Sequence, residues 1–210
     1  RSLGVHAGQE EGTSIAVLPF LNATADPEND YLSDGITEDL ITALAQVRGL
    51  RVPARTSAFR FKGTNEDIRR IGEQLNVGAL LEGSVRKSGN RLRVTARLIS
   101  ATDGYTLWAQ TYERDDADLF AIQDDLSRTI IDQLKVRLAA GQEIRIAGRT
   151  PRNIEAHHAY LTGSYFWNKR TEEDLKRAIA YFQQAIDAEP AYALAYSGLA
   201  DAYNMLAYSC

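Results

Sequence analysis

Cysteine, methionine, tryptophan and histidine are scarce: one Cys, one Met, two Trp and three His among 210 residues. Cys210 alone forms no intrachain disulfide, which leaves the compartment open, since many proteins of oxidising compartments also lack them. The histidines are His6, His157 and His158. Neighbours on a helix point to different sides, and no Cys or acidic residue stands at ligand spacing, so the pair reads as exposed helical residues and no metal site is expected. A Ser-His-acid set needs the same histidines. G-x-x-x-x-G-K-[ST] and G-x-G-x-x-G are both missing, so no phosphate loop is supported. No catalytic residue and no cofactor follow from the sequence. The longest apolar run, residues 15–21, contains Pro19 and falls far short of the roughly 20 residues a membrane helix needs. No signal peptide is visible. An excess of one charge is lacking too: the net charge of −4 argues against a generally basic nucleic-acid binder.

What is there is a globular composition, 44% hydrophobic and 25% charged, long enough for one ordinary domain and a small second one. The chain opens on Arg1 and closes inside a helical pattern, which predicts a piece of a longer protein. Residues 1–13 read as a polar tail or linker. Residues 14–20 (SIAVLPF) form a near-continuous apolar run, the mark of a strand buried on both faces and central in a sheet. Ile36, Leu40, Leu44 and Val47 mark one face of a helix that Asp34 or Thr37 caps and Gly49 ends. Residues 50–55 read as a short strand. Thr64 opens a helix with Ile68, Ile71 and Leu75 on one side. Three runs of period two follow at 77–86, 91–100 and 105–114. Leu119, Ile122, Leu126, Ile130 and Leu134 then predict a long amphipathic helix ending near Gly141. The order β-α-β-α-β-β-β-α implies a mixed α/β domain over residues 14–140, with helices covering a mixed sheet. Residues 141–153 read as a linker.

Turn chemistry sets a trial register. A turn at Ser88-Gly89 places Val85 opposite Leu92, Gly83 opposite Val94 and Leu81 opposite Ala96. The other face then carries Arg86, Arg91, Arg93, Thr95 and Arg97. A turn at Asp103-Gly104 adds Trp108 and Tyr112 to that Arg face. Arg91, Arg93 and Arg97 beside Trp108 and Tyr112 have the chemistry to bind an anion or stack on a base, as a small-ligand or nucleotide sensor would. The competing reading is a half-exposed face whose arginines lie over aromatics and pair with Glu82. The hexapeptide Asp34-Gly35-Ile36-Thr37-Glu38-Asp39 stands out as well. Carboxylates at a helix start stabilise its dipole by roughly 0.3–1 kcal/mol each, which suffices to explain it.

From residue 154 the chain turns helical and rich in Ala and Tyr. Ala178, Phe182, Ala185 and Pro190 match the second helix of a tetratricopeptide repeat: small, aromatic, small, closing proline. Tyr196, Leu199, Ala200 and Tyr203 fall on the first-helix positions of the next repeat. Leu161 and Tyr165 match the first helix of the earlier one, at a separation from Ala178 about four residues longer than usual. Residues 154–210 therefore read as one lengthened repeat and half of a second, an all-α helical hairpin extended by one helix. Phe182 is expected between the helices, against the helix of Leu161 and Tyr165, with Tyr196, Leu199 and Tyr203 packing on helix 175–189. The half repeat leaves Leu206 on an uncovered face, the expected contact for a homodimer. The groove of such an array maps to Phe166, Trp167, Ser197, Asp201 and Asn204, and Asp201 repels a terminal carboxylate. Phe166 and Trp167 alternatively fill the contact with the α/β domain.

Residues 14–138 resemble the TolB-amino-terminal-like domain in SIAVLPF, YLSDGITEDLITAL, RVPARTSAF, LEGSVRKSGNRLRVTARLISATDGYTLWAQTYERD and DLFAIQDDL. The resemblance implies a bacterial signalling protein in which this domain stands between an effector and tetratricopeptide repeats. Commonly that effector is a class III adenylate cyclase or a winged-helix regulator, often with a membrane helix between. No cyclase residue carries over, because that domain is not in this chain. The resemblance further implies a non-catalytic sensory or interaction role with a protein or peptide partner, in the periplasmic portion of an inner-membrane protein. The residues themselves leave a cytoplasmic setting open.

Overall fold

The computed structural model describes residues 13–24, 26–115, 118–135 and 153–208. The helix end expected near Gly141, most of the linker 141–153 and the tail 1–12 lie outside the described residues. The elements are β1 (Ile15–Val17), β2 (Leu21–Asn22), α1 (Asp30–Ala45), α2 (Arg55–Ala58), α3 (Ile68–Leu75), β3 (Ala79–Ser88), β4 (Arg91–Ser100), β5 (Thr106–Asp115), α4 (Leu119–Lys135), α5 (Ile154–Lys169), α6 (Glu172–Ala188) and α7 (Ala193–Tyr208). The architecture is a mixed α/β body followed by a helical region.

The sheet is mixed. β3, β4 and β5 form an antiparallel meander, while β1 and β2 both run parallel to β3 along its other side. β1 is buried on both faces, as its unbroken apolar run requires. It is not central: among the described residues, beyond it lies only an isolated bridge from Ser14 to Arg51. The strand expected at residues 50–55 shrinks to that bridge. Pro53 has no N–H to donate, and Ala54 already caps α2. One face of the sheet carries the main core, where Leu81, Val94 and Leu98 meet Ile36 and Leu40 of α1 and Leu126 and Ile130 of α4. On the other face Leu80 and Ala16 meet Ile71 and Phe61 in a smaller cluster.

Two helix starts differ from expectation. α1 begins at Asp30, so Asp34 and Thr37 are buried interior residues rather than caps. The short 3-10 turn Pro27–Asn29, capped by the Asp26 carboxylate, leads straight into it. Thr64 does not open α3. Its hydroxyl donates to the Phe61 carbonyl, and Asp67 caps the helix by accepting from Arg69 N–H.

The register also differs. The first turn is Gly89-Asn90, with Gly89 at φ +57°, so Val85 faces Val94, Gly83 faces Ala96 and Leu81 faces Leu98. This moves each partner by two residues and leaves the face assignment intact. The second connection spans residues 101–105, closed by Ser100 N–H to the Tyr105 carbonyl, and a register shift follows between Leu98 and Ile99. That odd shift turns β5 over. Tyr112 faces Val94 and Trp108 faces Leu98, both on the core side and away from Arg91, Arg93 and Arg97.

In the helical region Phe182 is buried where α5, α6 and α7 meet. A Cβ on Gly163 would come within 2.8 Å of its ring, and one on Gly198 within 2.7 Å. These two glycines, with Ala178 and Ala202, form the socket. Leu161 points instead into the α/β core, and Tyr165 lies half-buried under Lys169. On α7 it is Ala195, Gly198, Leu199 and Ala202 that face inward, while Tyr196 and Tyr203 are exposed and Leu206 is half-buried. Tyrosines at those two positions face outward because the glycine and alanines between them let the helices come too close to admit large rings.

Phe182→Ala leaves this socket empty and costs about 3–5 kcal/mol. Urea denaturation followed by far-ultraviolet dichroism checks it; an unchanged midpoint contradicts the packing.

Candidate functional site

The acidic hexapeptide of α1 gathers contacts from five other segments. Glycine and threonine are poor helix formers, so tertiary contacts hold this stretch helical. Asp34 is 7% exposed, and both its carboxylate oxygens accept from Lys62 Nζ, at 2.6 and 2.8 Å. Burial pushes its pKa above the usual carboxylate range and outweighs the lowering by Lys62. Glu38 behaves alike: burial raises it against Arg55, whose Nε donates at 3.2 Å and whose guanidinium lies 3.7 Å above the Phe59 ring. Thr37 Oγ1 donates to the Ser33 carbonyl and accepts from Phe20 N–H, tying α1 to the end of the first apolar run.

Two members reach the helical region. Gly35 is where α5 touches α1: a Cβ there would lie 2.6 Å from a methyl of Leu161. Asp39 accepts from Gln123 Nε2 of α4 at 2.6 Å, and its Oδ2 stands 3.2 Å from His157 Nε2. His157 is only 3% exposed, and its Nδ1 lies 3.1 Å from the Tyr192 hydroxyl in the turn before α7. The expectation that both adjacent histidines are exposed is therefore corrected; His158 is half-buried against Tyr31 at 6.1 Å between ring centroids. Burial raises the Tyr192 phenol, with the charge of Asp39 adding to it, and burial together with Glu38 pushes Tyr160 up to about 12. Asn153 closes the junction. It caps α5, and its side-chain amide donates to the Ala188 carbonyl.

Chemically this is a junction of paired groups. Its carboxylates hold Lys62, Arg55, Gln123 and His157, so none is poised as a base on an open cavity. Among the described residues no group of three or more His, Cys, Asp or Glu is placed to hold a metal ion.

The Arg face does not assemble as expected. Trp108 and Tyr112 lie on the opposite side of the sheet, Arg93 pairs with Glu113, and Arg97 Nε lies 3.2 Å from Glu82. Arg91 is exposed at the start of β4. Of the five groove residues, Ser197, Asp201 and Asn204 share an exposed face of α7. Asp201 sits close enough to Tyr160 of α5 for its charge to raise that phenol. Phe166 stacks flat on Tyr181 of α6 at 5.6 Å, and Trp167 packs beside the Phe182 socket under Arg170. Among the described residues both pack within the helical hairpin. Lys62, Arg55, Gln123 and Tyr192 were not singled out by sequence reasoning. Gly35 inside a helical pattern carried the one local signal, a demand for close approach.

Three comparisons set this geometry among known proteins. Residues 11–133 match the family described as HilA/YgeH-like transcriptional regulator, second domain. A curated relative from Rhizobium meliloti (strain 1021), named "Putative adenylate cyclase 3", is 50% identical over 144 residues, 69% of this chain. The chain spans about a quarter (24%) of that relative's length. Solved structures with a similar chain course include lipoprotein GNA1162 from Neisseria meningitidis at 19% identity, covering 60% of this chain and 99% of that one, TM-score 0.43. TolB from Acinetobacter baumannii follows at 13% identity, covering 60% and 29%, TM-score 0.47. The LpoB C-terminal domain from Salmonella enterica matches at 18% identity, covering 52% and 87%, TM-score 0.41.

Asp34 supplies a pH test. Burial raises its pKa in the folded chain above the ordinary carboxyl value, so its stabilising contribution is full below that value and is lost as pH rises through the folded pKa. The stability of the wild type minus that of Asp34→Asn falls as pH rises above the ordinary carboxyl value of about 4. Thermal melts over that rise in pH check the sign; a difference that rises with pH contradicts it.

Proposed function

The chain belongs, through residues 11–133, to the HilA/YgeH-like transcriptional regulator second-domain family, and from that premise we propose a non-catalytic regulatory and protein-interaction region that passes partner binding to an effector elsewhere in its protein. The observation that carries this reading is the junction itself. Leu161 enters the space left by Gly35, and the chain Asp39–His157–Tyr192 links α1 to the turn before α7. A shift of the helices is then felt directly at the core of the sheet. The family description and the name of the curated relative point to two different effectors, a transcriptional regulator and a cyclase. A region shared by both suits a module that senses or docks rather than reacts. On this reading residues 14–140 and 154–210 are the two working parts, and the latter is a lengthened tetratricopeptide-type repeat with the first helix of the next. Ala178, Phe182 and Ala185 on one face of α6, with Pro190 just beyond its end, support that reading. The TolB-like resemblance implies a periplasmic setting; among the described residues no helix is long and apolar enough to cross a membrane.

The partner site is the α7 face of Ser197, Asp201 and Asn204, looking towards Tyr160. Asp201 is exposed there with no ion pair among the described residues, so the fitting partner is a peptide that presents a cation. Selection of displayed random peptides against the chain should enrich Lys- or Arg-bearing sequences, and Asp201→Lys should weaken their binding roughly tenfold or more. Bound peptide should also slow amide hydrogen exchange across residues 34–39. No enrichment defeats the groove assignment. Binding without any effect on exchange in α1 defeats the coupling.

A further inference from the structure

β5 is the outer strand of the sheet, and among the described residues only β4 pairs with it. Ten residues is long for a strand whose edge is bare among the described residues. Natural sheets guard such edges with Lys, Pro, a bulge or brevity. TLWAQTYERD has no Lys and no Pro, and the nearby register shift lies at its very start, opposite Thr106. Large apolar groups are exposed where it begins: Tyr105 is 73% and Leu107 38% exposed. Beside it, between the strand and α4, runs an open trough of about 390 Å³ walled by Tyr112, Arg114, Asp125, Arg128, Thr129 and Asp132. Arg114 pairs with Asp125 across it at 3.3 Å.

We propose that a second copy of this chain docks on this edge, the two β5 strands pairing antiparallel about a two-fold axis at Thr111 to make one continuous sheet. The charge pattern selects this occupant. All charges of β5 fall in its last three residues, Glu113, Arg114 and Asp115, and none in Thr106–Gln110. A parallel in-register neighbour sets Glu113 beside Glu113. An antiparallel copy lays the charged end over the uncharged one. A two-fold axis normal to the sheet keeps each face on its own side, so opposed residues share a face. With Thr111 on the axis, Ala109 meets the partner's Glu113, Trp108 meets the partner's Arg114, and Gln110 meets the partner's Tyr112. No like charges oppose, and the guanidinium lies against an indole.

The helices add a second argument. α4 packs over both β4 and β5. With strands ~4.8 Å apart, a β5–β5 seam sets the two α4 axes roughly 10 Å from each other, the normal distance for packed helices. Each α4 then fills the trough beside the other. A lone extended peptide pairs with the edge but leaves the trough open.

Sedimentation of the 210-residue chain, with dichroism to verify folding, tests the proposal. A concentration-dependent dimer is expected. Thr111→Lys places two ammonium groups on the axis and weakens it roughly tenfold or more. Ala109→Lys, facing the partner's Glu113, tightens the dimer, whereas Ala109→Glu loosens it. In a Cys210→Ser background, Thr111→Cys joins two chains by a disulfide on mild oxidation, because directly opposed strand residues come within bridging distance. A chain monomeric up to ~100 µM with no cross-link overturns the proposal. So does a dimer that ignores Thr111→Lys, or one that responds alike to both Ala109 changes.

Discussion

The structure turns on how near two helices come at Gly35. With hydrogen in place of a side chain, α1 leaves room for Leu161, and α5 settles against it closely enough to share the core of the sheet. A side chain there would meet the methyls of Leu161 at 2.6 and 2.8 Å, so the leucine would have to shift within a packed core. Once α5 is seated, Asp39 is within reach of His157, His157 of Tyr192, and Asn153 of the end of α6. The polar contacts depend on the apolar one. They would be solvated and weak if the helices stood apart.

Burial gives those contacts their consequence. Asp34 and Glu38 lose more to desolvation than their cations return, which is why both carboxyls are raised. A charge left without its cation in this setting is costly, so Lys62 and Arg55 fix residues 55–62 against α1. A body whose parts are held by mutually dependent contacts has few intermediate arrangements, and a partner that favours one arrangement shifts the whole.

The two faces of the sheet divide the labour. One face is closed by α1 and α4 and carries the junction. Among the described residues the other is covered by α3 and Phe61, and Arg93 and Arg97 on it pair with Glu113 and Glu82. The shift between Leu98 and Ile99 sets the facing of β5. Had the strands continued in step, Trp108 and Tyr112 would stand beside Arg93 and Arg97. The shift places them in the core instead, where Tyr112 packs with Val94.

Much of this was legible from pattern alone. The apolar run at residues 15–20, the period of α4 and the alternation of β3 and β4 are local properties, since side-chain direction follows from backbone repeat. The face of every β3 and β4 residue was readable for that reason, even though the turn moved by one position. Three things were not. The start of α1 was hidden because Asp34 and Thr37 look like caps to a local reading, while their true partners, Lys62 and Phe20 N–H, are 28 and 17 residues away. The hand of β5 was hidden because a register shift costs little locally and reverses everything after it. The destination of Leu161 was hidden because its spacing suits α6 as well as the sheet. The sequence by itself determined the extended and apolar pattern of β3 and β4 and the helical period of α4, because those depend on neighbours along the chain. Only the tertiary structure decided which face β5, α5 and α7 present, and so made His157 and Gly35 a junction, because that choice rests on volumes and partners brought together from distant parts of the chain.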